Sequence, residues 1–384
     1  MAYTKVKPLM VASFPSSRLT GAFGAISGAN LTGLGDGIDT KDASNDPTIS
    51  TNPATGVGTV WLNKSTGELF NCKDATAGVN VWVNVGGGTG SVKSFQGIIE
   101  GYIAGGNVVG GSAQNLIQKF LFSSNTTATN LGDIQTISYL TAGTSSSTHG
   151  YVAGGHPVTT RIEKFEFSTS NNASSHGDLQ VNCHQMAGQS SRTHGYITGG
   201  DAPFNDDIKK FSFESNTTSS NIGTISANTK QLVGLSGSDH GYIAGGTHNG
   251  TPYHINDIER FSFSSDGNAS DVGTLGTART SPSSSSSSTD GFVHSGDING
   301  AQTATIEKFS LASSTTSAGH GSSSSARGGS AGSSSITDGY ASGGQTAASA
   351  NITAIDKYNY AANTTASSHG DLQLVGLLPT GHQF

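Results

Sequence analysis

The sequence of 384 residues has few charged residues, few cysteines and no long apolar run, and each shortage excludes a class of protein. Charged residues make up only 12% of the chain and the formal net charge is −7, so we expect no nucleic-acid partner. No apolar run approaches the roughly 18 residues that a membrane-spanning helix requires, so we expect no membrane insertion. The two cysteines, Cys72 and Cys183, lie in different regions and predict no disulfide framework.

Small residues are abundant instead. The chain has 54 glycines, and serine and threonine fill much of the remainder. All three residue types weaken helix interiors, which excludes a helical bundle. This composition alone would be typical of a disordered chain, but an internal repeat argues for a folded one.

Two short phrases recur in fixed phase, and their spacing predicts the architecture. The first is GYIAGG at Gly101, and its variants begin at Gly150, Gly195, Gly241, Gly291 and Gly339. The second is IQKFLF at Ile117, and its variants begin at Ile162, Ile208, Ile258, Ile306 and Ile355. Both phrases are rich in aromatic and β-branched residues and are bounded by Gly, Asn, Asp and Ser, which is typical of strands. A repeat of about 45–50 residues with several strands indicates the blade of a β-propeller.

Two features of each repeat resemble the kelch family of propellers. A pair of glycines follows the first phrase at Gly105-Gly106, Gly154-Gly155, Gly199-Gly200, Gly245-Gly246 and Gly343-Gly344. An aromatic residue occupies the second phrase at Phe120, Phe165, Phe211, Phe261, Phe309 and Tyr358. The resemblance implies an all-β chain in which residues 91–384 form a six-bladed kelch-like β-propeller.

The serine-rich stretches suit the centre of such a propeller. A segment of small residues precedes each GY phrase, and we interpret Ser281–Ser288 as an inner strand rather than a linker. The ending QLVGLLPTGHQF from Gln373 is similar to QLVGLSGSDHGY from Gln231. This match predicts that residues 373–380 pair beside the first GY strand and close the ring, with residues 92–100 as the alternative.

The N-terminal quarter lacks the repeat. Residues 1–55 are predicted to be an extended arm for attachment or oligomerisation. Residues 56–90 are predicted to be a small three-stranded β-meander with a core of Trp61, Phe70 and Trp82. A sheet of this size is marginal alone and would gain from docking on a partner or on copies of itself.

The meander carries the pattern WLN-turn-GELF-x-C-x-DAT-x-G-x-NVW. This pattern resembles the short β-modules of bacteriophage tail fibres and other virion appendages. The resemblance implies that residues 1–90 bind other virion proteins, and it allows a homo-oligomer.

The repeated polar residues are interpreted as structural. His149, His194, His240 and His382 are expected to be turn residues, because Asp290 and Asp338 take the place of histidine in other repeats. The basic residue of the second phrase is expected to form ion pairs at blade edges rather than an anion-binding ring. This set is Lys119, Lys164, Lys210, Arg260, Lys308 and Lys357. We expect no metal site and no cofactor.

Recognition is expected in the loops that differ between repeats, because propeller loops vary while strands maintain the fold. Two of these loops hold aromatic and polar residues that suit a saccharide or a protein ligand. The candidate binding residues are Phe204, Asp206, Asp207, His248, Tyr253 and His254. No nucleophile elbow, zinc-protease motif or P-loop is present in the sequence, so no catalytic residue is predicted.

Together these observations predict a non-enzymatic structural protein of a bacteriophage virion. The N-terminal part would anchor to the particle, and the propeller would be displayed outward as a tail or appendage fibre that recognises a host-surface glycan or protein. Three alternatives stay open: a head fibre or capsid-decorating protein, a propeller glycan hydrolase or depolymerase, and a cellular kelch-type protein-interaction adaptor.

Overall fold

The computed structural model describes residues 40–85, 96–108, 112–314, 316–374 and 376–383. Residues 1–39 of the predicted arm and residues 92–95 of the alternative inner strand lie outside these ranges. The described residues form strands, turns and bends, and none of them is helical. This part of the chain therefore contains no helix long and apolar enough to cross a membrane.

The first sheet is small and has four strands. These strands are β1 (Thr40–Ala43), β2 (Val60–Asn63), β3 (Leu69–Asp74) and β4 (Val81–Asn84). They lie in the order β1-β2-β3-β4, with β1 parallel to β2 and the other pairs antiparallel. The predicted meander thus gains a fourth strand from the segment predicted as an arm, so the sheet begins before residue 56.

The core of this first sheet consists of a few side chains. Phe70, Cys72 and Trp82 are fully buried, and Trp61 packs edge-on against Trp82 with ring centroids 5.9 Å apart. The loop after β1 contacts this core, since the Trp61 indole donates to the Asn45 carbonyl at 2.8 Å and Ile49 packs against the buried side chains. These contacts join the segment before residue 56 to the meander.

The remaining strands repeat in groups along the chain. The first two groups are β5 (Glu100–Ala104), β6 (Leu116–Leu121) and β7 (Thr129–Asp133), then β8 (Ala142–Ser145), β9 (His149–Ala153), β10 (Thr159–Glu166) and β11 (Ser174–Cys183). The next two are β12 (Ala187–Ser190), β13 (His194–Thr198), β14 (Asp207–Ser212) and β15 (Ser220–Thr224), then β16 (Val233–Ser236), β17 (His240–Ala244), β18 (Asp257–Ser262) and β19 (Ser270–Thr274).

The last groups contain several short strands. The fifth is β20 (Ser283–Ser286), β21 (Asp290–His294), β22 (Asp297–Ile298), β23 (Ala301–Gln302), β24 (Thr305–Ser310) and β25 (Ala318–Ser322). The sixth is β26 (Arg327–Gly328), β27 (Ala331–Ser334), β28 (Asp338–Ser342), β29 (Gln345–Thr346), β30 (Ala354–Asn359), β31 (Thr364–Thr365) and β32 (Ser367–Asp371), and the chain ends with β33 (Thr380–Gln383).

Within the described residues these groups form six antiparallel sheets of four strands, here numbered one to six along the chain. Their strand orders are β33-β5-β6-β7, β8-β9-β10-β11, β12-β13-β14-β15, β16-β17-β18-β19, β20-β21-β24-β25 and β27-β28-β30-β32. The fifth sheet gains β31 as a parallel fifth strand. The predicted all-β structure is confirmed, and both repeated phrases lie in strands.

The six inner strands contact one another in a closed cycle, β8-β12-β16-β20-β27-β33 and back to β8. A residue with a left-handed backbone lies two positions before each inner strand: Leu140, Gln185, Gln231, Ser281, Gly329 and Leu378. Each of these six donates its amide to the carbonyl of its counterpart at the preceding sheet, at 2.7–3.1 Å. The six hydrogen bonds form a closed ring around the axis, which we call the axial ring.

Small residues are required where the inner strands meet. A Cβ placed on Gly188 would lie 2.1 Å from the Gly143 carbonyl oxygen of the neighbouring strand. Serines supply the hydrogen bonds that these strands cannot make on their axial side: the amides of Ser145 and Ser190 donate to the hydroxyls of Ser190 and Ser236 at 2.9 and 2.8 Å. The interpretation of the polyserine tract as an inner strand is confirmed over Ser283–Ser286.

The strand beside β5 comes from the C-terminus, but at a later register than predicted. Residues 380–383 pair with β5, whereas the sequence match predicted residues 373–380. The match was misleading because it rested on the shared sequence QLVGL, which does not occupy equivalent positions in the two repeats. The true counterpart of the left-handed Gln231 is Leu378, so Gly381 corresponds to Gly234.

Removing this closing strand should destabilise the whole ring. Deletion of residues 380–384 leaves the β5 edge unpaired and removes the fully buried His382. We expect the midpoint of thermal unfolding to fall by more than about 10 °C, measured by circular dichroism. A synthetic peptide of residues 378–384 added in trans should recover part of the loss by mass action. An unchanged midpoint would contradict this role for β33.

The sheets pack through aromatic pairs. At five of the six junctions the Tyr or Phe of the GY phrase stacks on the aromatic residue that ends the second phrase of the next sheet, as in Tyr102 on Phe167 and Tyr151 on Phe213, both with centroids 4.6 Å apart; at the sixth, Leu311 takes the place of the aromatic residue. Such pairs add about 0.5–1.5 kcal/mol each beyond the burial of apolar area. Their recurrence explains why the repeat keeps an aromatic residue at both positions.

Hydrogen bonds also join the sheets at the circumference. A residue in the loop before each outer strand donates its amide to the outer strand of the preceding sheet at 2.7–2.8 Å. The donors are Ala128, Ala173, Ser219, Ala269, Ser317 and Ala366, and we call this set the outer belt.

The chain enters the ring at one of its two faces. The turns between inner and second strands lie on one face, here the lower face, and the loops after the second strands lie on the opposite, upper face. The Gly97 amide donates to the Ser334 carbonyl at 2.8 Å, and the buried Gln96 side chain contacts the Ser286 hydroxyl at 3.4 Å. Both serines end inner strands, so residues 96–97, which precede β5, lie at the lower face.

Candidate binding face

Four of the six basic residues of the second phrase form ion pairs, although not with the acid that precedes them. Lys119 pairs with Glu100 at 3.1 Å, and Lys308 pairs with Asp290 at 3.3 Å. Lys357 pairs with Asp338 in the same way, and Lys210 pairs with Asp266. The first three acids begin the neighbouring strand, where the antiparallel register places them beside the lysine.

The acid that precedes the lysine points to the neighbouring sheet. Glu163 accepts the Gln135 amide at 2.6 Å, and Glu259 accepts the Ser226 amide at 2.9 Å. In the later sheets, Glu307 and Asp356 also hold the buried guanidinium groups of two arginines, Arg279 and Arg327. These carboxylates therefore connect sheets, and their oxygens are already engaged.

Two of the four histidines predicted to be turn residues show the expected turn hydrogen bond. The Thr148 hydroxyl lies 2.8 Å from Nδ1 of His149, and Thr193 and His194 show the same distance. Thr289 donates to Asp290 at 2.8 Å, so histidine and aspartate exchange as acceptors. The prediction is wrong for His382, which lies in β33 and is fully buried.

The histidines of the outer strands join neighbouring sheets. Nε2 of His176 donates to the Ser212 carbonyl at 2.8 Å, and Nε2 of His369 donates to the Leu121 carbonyl at 2.7 Å. His320 makes the same bond to the Asn359 carbonyl at 2.9 Å. No group of three or more His, Cys, Asp or Glu residues suited to a metal ion occurs among the described residues.

The predicted binding residues of the third sheet differ in their surroundings. Asp207 pairs with the buried Lys209 at 3.2 Å and accepts the Asn221 side chain at 2.6 Å. Asp206 is half-buried at the start of β14, and its carbonyl accepts the Ile225 amide at 2.9 Å. Phe204 is half-buried, and the Lys230 ammonium lies 5.5 Å from its ring centroid.

The predicted binding residues of the fourth sheet form a local loop. The His248 imidazole hydrogen bonds to the Pro252 carbonyl, and the His248 amide donates to the Tyr253 carbonyl at 3.2 Å. Tyr253 is 55% exposed, and its ring lies 5.2 Å from that of His254. These three residues stabilise the loop, and Tyr253 is the one that faces solvent.

The structure brings together a larger set of side chains on the upper face. Tyr139 and His156 lie with ring centroids 5.2 Å apart, and His156 lies 5.7 Å from His184. The His184 backbone pairs with Asp201, which forms an ion pair with Lys230 at 2.6 Å. We call this contiguous set the upper arc: Tyr139, His156, His184, Asp201, Phe204 and Lys230.

Backbone pairing positions the upper arc. The residue before the left-handed position pairs with the residue after the glycine pair, as Tyr139 does with His156 and Lys230 does with Thr247. The corresponding pairs on the far side place Thr280 beside Asp297 and Asn107 beside Leu377. Among the described residues, the aromatic and imidazole groups at these paired positions therefore lie on one half of the upper face.

The charges of the upper arc are balanced. The pKa of Asp201 lies below its usual value because hydrogen bonds from Lys230 and the Ala202 amide, and the charge of Lys230, outweigh the effect of burial. The pKa of His184 is lowered, mainly by burial and further by His156 and Lys230, against the opposite effect of Asp201. His184 is therefore neutral at pH 7, with one nitrogen free to donate and one to accept.

Two cavities lie on the axis, and the upper one is next to the upper arc, because Leu140, Gln185 and Gln231 of its lining directly follow Tyr139, His184 and Lys230. The upper one has a volume of about 140 Å³ and is lined by the axial ring, including Gln185 and Gln231. The lower one has a volume of about 70 Å³ and is lined mostly by glycines and serines of the inner strands. Both are lined by the same glycines, such as Gly143 and Gly188, so they meet where the inner strands are closest.

Five members of the upper arc were missed by the sequence analysis, which searched only the loops for aromatic and acidic clusters. Tyr139, His184 and Lys230 precede inner strands, and His156 and Asp201 directly follow glycine pairs. The sequence does contain a pattern that locates these positions, because they recur at the same place in each repeat. Comparing the residue after each glycine pair across repeats would have found the two that follow glycines.

No protein-family model matches the sequence, and no curated protein matches it. Among solved structures the chain is similar to YjhT, a kelch-like β-propeller. The TM-score is 0.55 and the sequence identity is 12%, over 63% of this chain and 86% of that one. At this identity the similarity shows the fold alone, which is all-β and of the β-propeller type.

Proposed function

We propose that the six four-stranded sheets are the blades of a six-bladed kelch-like propeller. The closed cycle of inner strands and the axial ring support this interpretation, since each needs all six sheets. The glycine pairs support the kelch-like layout, because Gly105 and Gly106 adopt the left-handed backbone that ends the second strand.

We further propose that the chain is a structural protein of a bacteriophage particle. Residues 1–90 would attach it to other virion proteins, and the propeller would be displayed outward as a tail or appendage fibre that recognises the host surface. The motif of the first sheet, which resembles β-modules of virion appendages, carries this proposal. The position of the chain entry supports it, because a ring held at its lower face presents the upper arc to the outside.

The first sheet has the properties of an attachment module. Its core has three fully buried side chains, and a sheet of that size gains stability from a partner. Val57 and Val85 are 66% and 57% exposed, which leaves apolar surface for contact with another protein or another copy. Scattered exposed apolar residues are ordinary, so the small core is the stronger of these two observations.

A binding role fits the ring better than catalysis. The repeated acids of the second phrase accept backbone amides or hold buried arginines, as Glu163 and Asp356 do. A glycosidase needs two free carboxyl groups about 5–10 Å apart. The one carboxylate of the upper arc, Asp201, is paired with Lys230.

Location on purified particles tests the proposal. Antibodies against the whole chain should label density-purified phage particles from the organism that encodes it, and mass spectrometry should find the chain in those particles. Immunogold electron microscopy should place the label at the tail, and label on the head would favour a head fibre or decorating protein instead. Recovery of the chain only from the particle-free cytosol would overturn the proposal.

A further inference from the structure

We propose that the upper arc binds an uncharged saccharide residue at the mouth of the upper axial cavity. This site would be the contact point for the host surface, so its biological role rests on the proposed function. The proposal differs from the loop prediction, because it assigns binding to Tyr139, His156, His184, Asp201 and Lys230 with Phe204, and not to the loop around Tyr253.

The rings of the arc suit the apolar faces of a sugar. Tyr139 and Phe204 lie toward its two ends, and the imidazoles of His156 and His184 lie between them at centroid distances of 5.2 and 5.7 Å along the row. Aromatic groups offer large contact area at a low cost in conformational entropy, and a tyrosine adds a hydrogen-bonding hydroxyl. A row of such rings can cover the C–H face of a pyranose while polar groups bind its rim.

The charges favour an uncharged ligand. Asp201 and Lys230 neutralise each other at 2.6 Å, so an anion would meet the carboxylate and a cation would meet the ammonium. Hydroxyl groups avoid both penalties, since they donate to a carboxylate and accept from an ammonium. The neutral His184 adds a further donor and acceptor.

Polar atoms without partners lie beside the arc. Nδ1 of His184, Oε1 of Gln185 and Oγ1 of Thr141 are buried and have no hydrogen-bond partner. Buried polar atoms without a partner are uncommon in folded proteins. Gln185 and Thr141 line the upper axial cavity, whose 140 Å³ suits a substituent such as a hydroxymethyl or acetamido group rather than a whole ring.

Binding of the intact chain to an array of neutral and acidic oligosaccharides tests the proposal. We expect retention of neutral hexose or N-acetylhexosamine chains, with affinity unchanged in 0.5 M NaCl because no net charge is involved. Titration calorimetry with the best neutral oligosaccharide should then show that Phe204→Ala and His156→Ala each weaken binding about tenfold or more. His156 is exposed, so its replacement should leave the fold intact.

Tyr253→Ala is the matched control, since it removes an exposed aromatic ring on the same face but outside the arc. Its effect should be less than about twofold. The proposal is overturned if no neutral oligosaccharide binds, if acidic ones bind in a salt-sensitive manner instead, or if Tyr253→Ala weakens binding as much as Phe204→Ala. If the chain binds sugar but is absent from phage particles, only the proposed function is refuted. If the chain is present on particles but binds no sugar, only this inference is refuted.

Discussion

Acidification from pH 7 to pH 4 should destabilise the ring strongly, and His382 should account for a large part of the loss. His382 is fully buried in the closing strand, where Nδ1 donates to the Thr144 carbonyl at 3.0 Å. Burial lowers the pKa of His382 to about 4 from an ordinary value of 6.5. His294 is also fully buried, and burial together with Arg327 and Arg279 lowers its pKa to about 3.

The sign follows from proton binding in the two states. Between about pH 6.5 and pH 4 the unfolded chain protonates His382 while the folded chain keeps it neutral. Stability is therefore fully present above pH 6.5 and is lost as the pH falls toward 4. For His382 alone the difference in pKa corresponds to about 3 kcal/mol.

Chemical denaturation at several pH values between 7 and 4 measures this effect. His382→Leu is the informative variant, because Leu235 occupies the corresponding position in the fourth inner strand. We expect this variant to have a shallower fall of unfolding free energy with acidification, whatever its stability at pH 7. A slope equal to that of the wild type for His382→Leu would show that His382 is not the group responsible.

Replacement of Gly332 by alanine should be among the most damaging single changes in the chain. A Cβ at this position would lie 1.8 Å from the Ser284 carbonyl oxygen and 2.8 Å from its carbonyl carbon. Both are backbone atoms of the neighbouring inner strand, so no side-chain rotation relieves the clash. We expect a loss of more than about 3 kcal/mol, because the two strands must separate and the axial ring must stretch.

A second glycine gives the matched comparison. Gly319 lies in the outer strand β25, and a Cβ there would have no heavy atom within 4 Å. Gly319→Ala should change the free energy of unfolding by less than about 0.5 kcal/mol. Urea denaturation of both variants measures the difference, and similar stabilities would refute the idea that close backbone approach holds the axis together.

The phase of the repeat was sufficient to predict the strands. It did not predict the register of the closing strand at the axis. GY phrases and IxKF phrases are rich in aromatic and β-branched residues and are bounded by Gly, Asn, Asp and Ser, so their strands can be located from the sequence. The closing strand was misplaced because Gln373 matches Gln231 by letter, while the structure equates Leu378 with Gln231 by backbone conformation. Leu140 holds the same position before β8, but the sequence alone does not show which residue of each repeat adopts the left-handed backbone.

The binding face was harder to predict than the fold. Phe204 was singled out because it lies in a variable loop, but Tyr139 and Lys230 lie far from it in sequence and precede inner strands. Lys230 reaches Phe204 from the next sheet, where it also pairs with Asp201, and Tyr139 joins the arc through its backbone pair with His156. His382 shows the same limit of local sequence analysis, since its burial depends on the partner strand β5 rather than on its own neighbours in sequence.

The outer belt has a consequence for crowding. Loop amides such as those of Ala128 and Ala366 each occupy one carbonyl of an outermost strand and hold the neighbouring sheet against that edge, which would otherwise be a template for another chain. Several copies held side by side at high local concentration would thus be less able to form fibrils by edge-to-edge strand pairing.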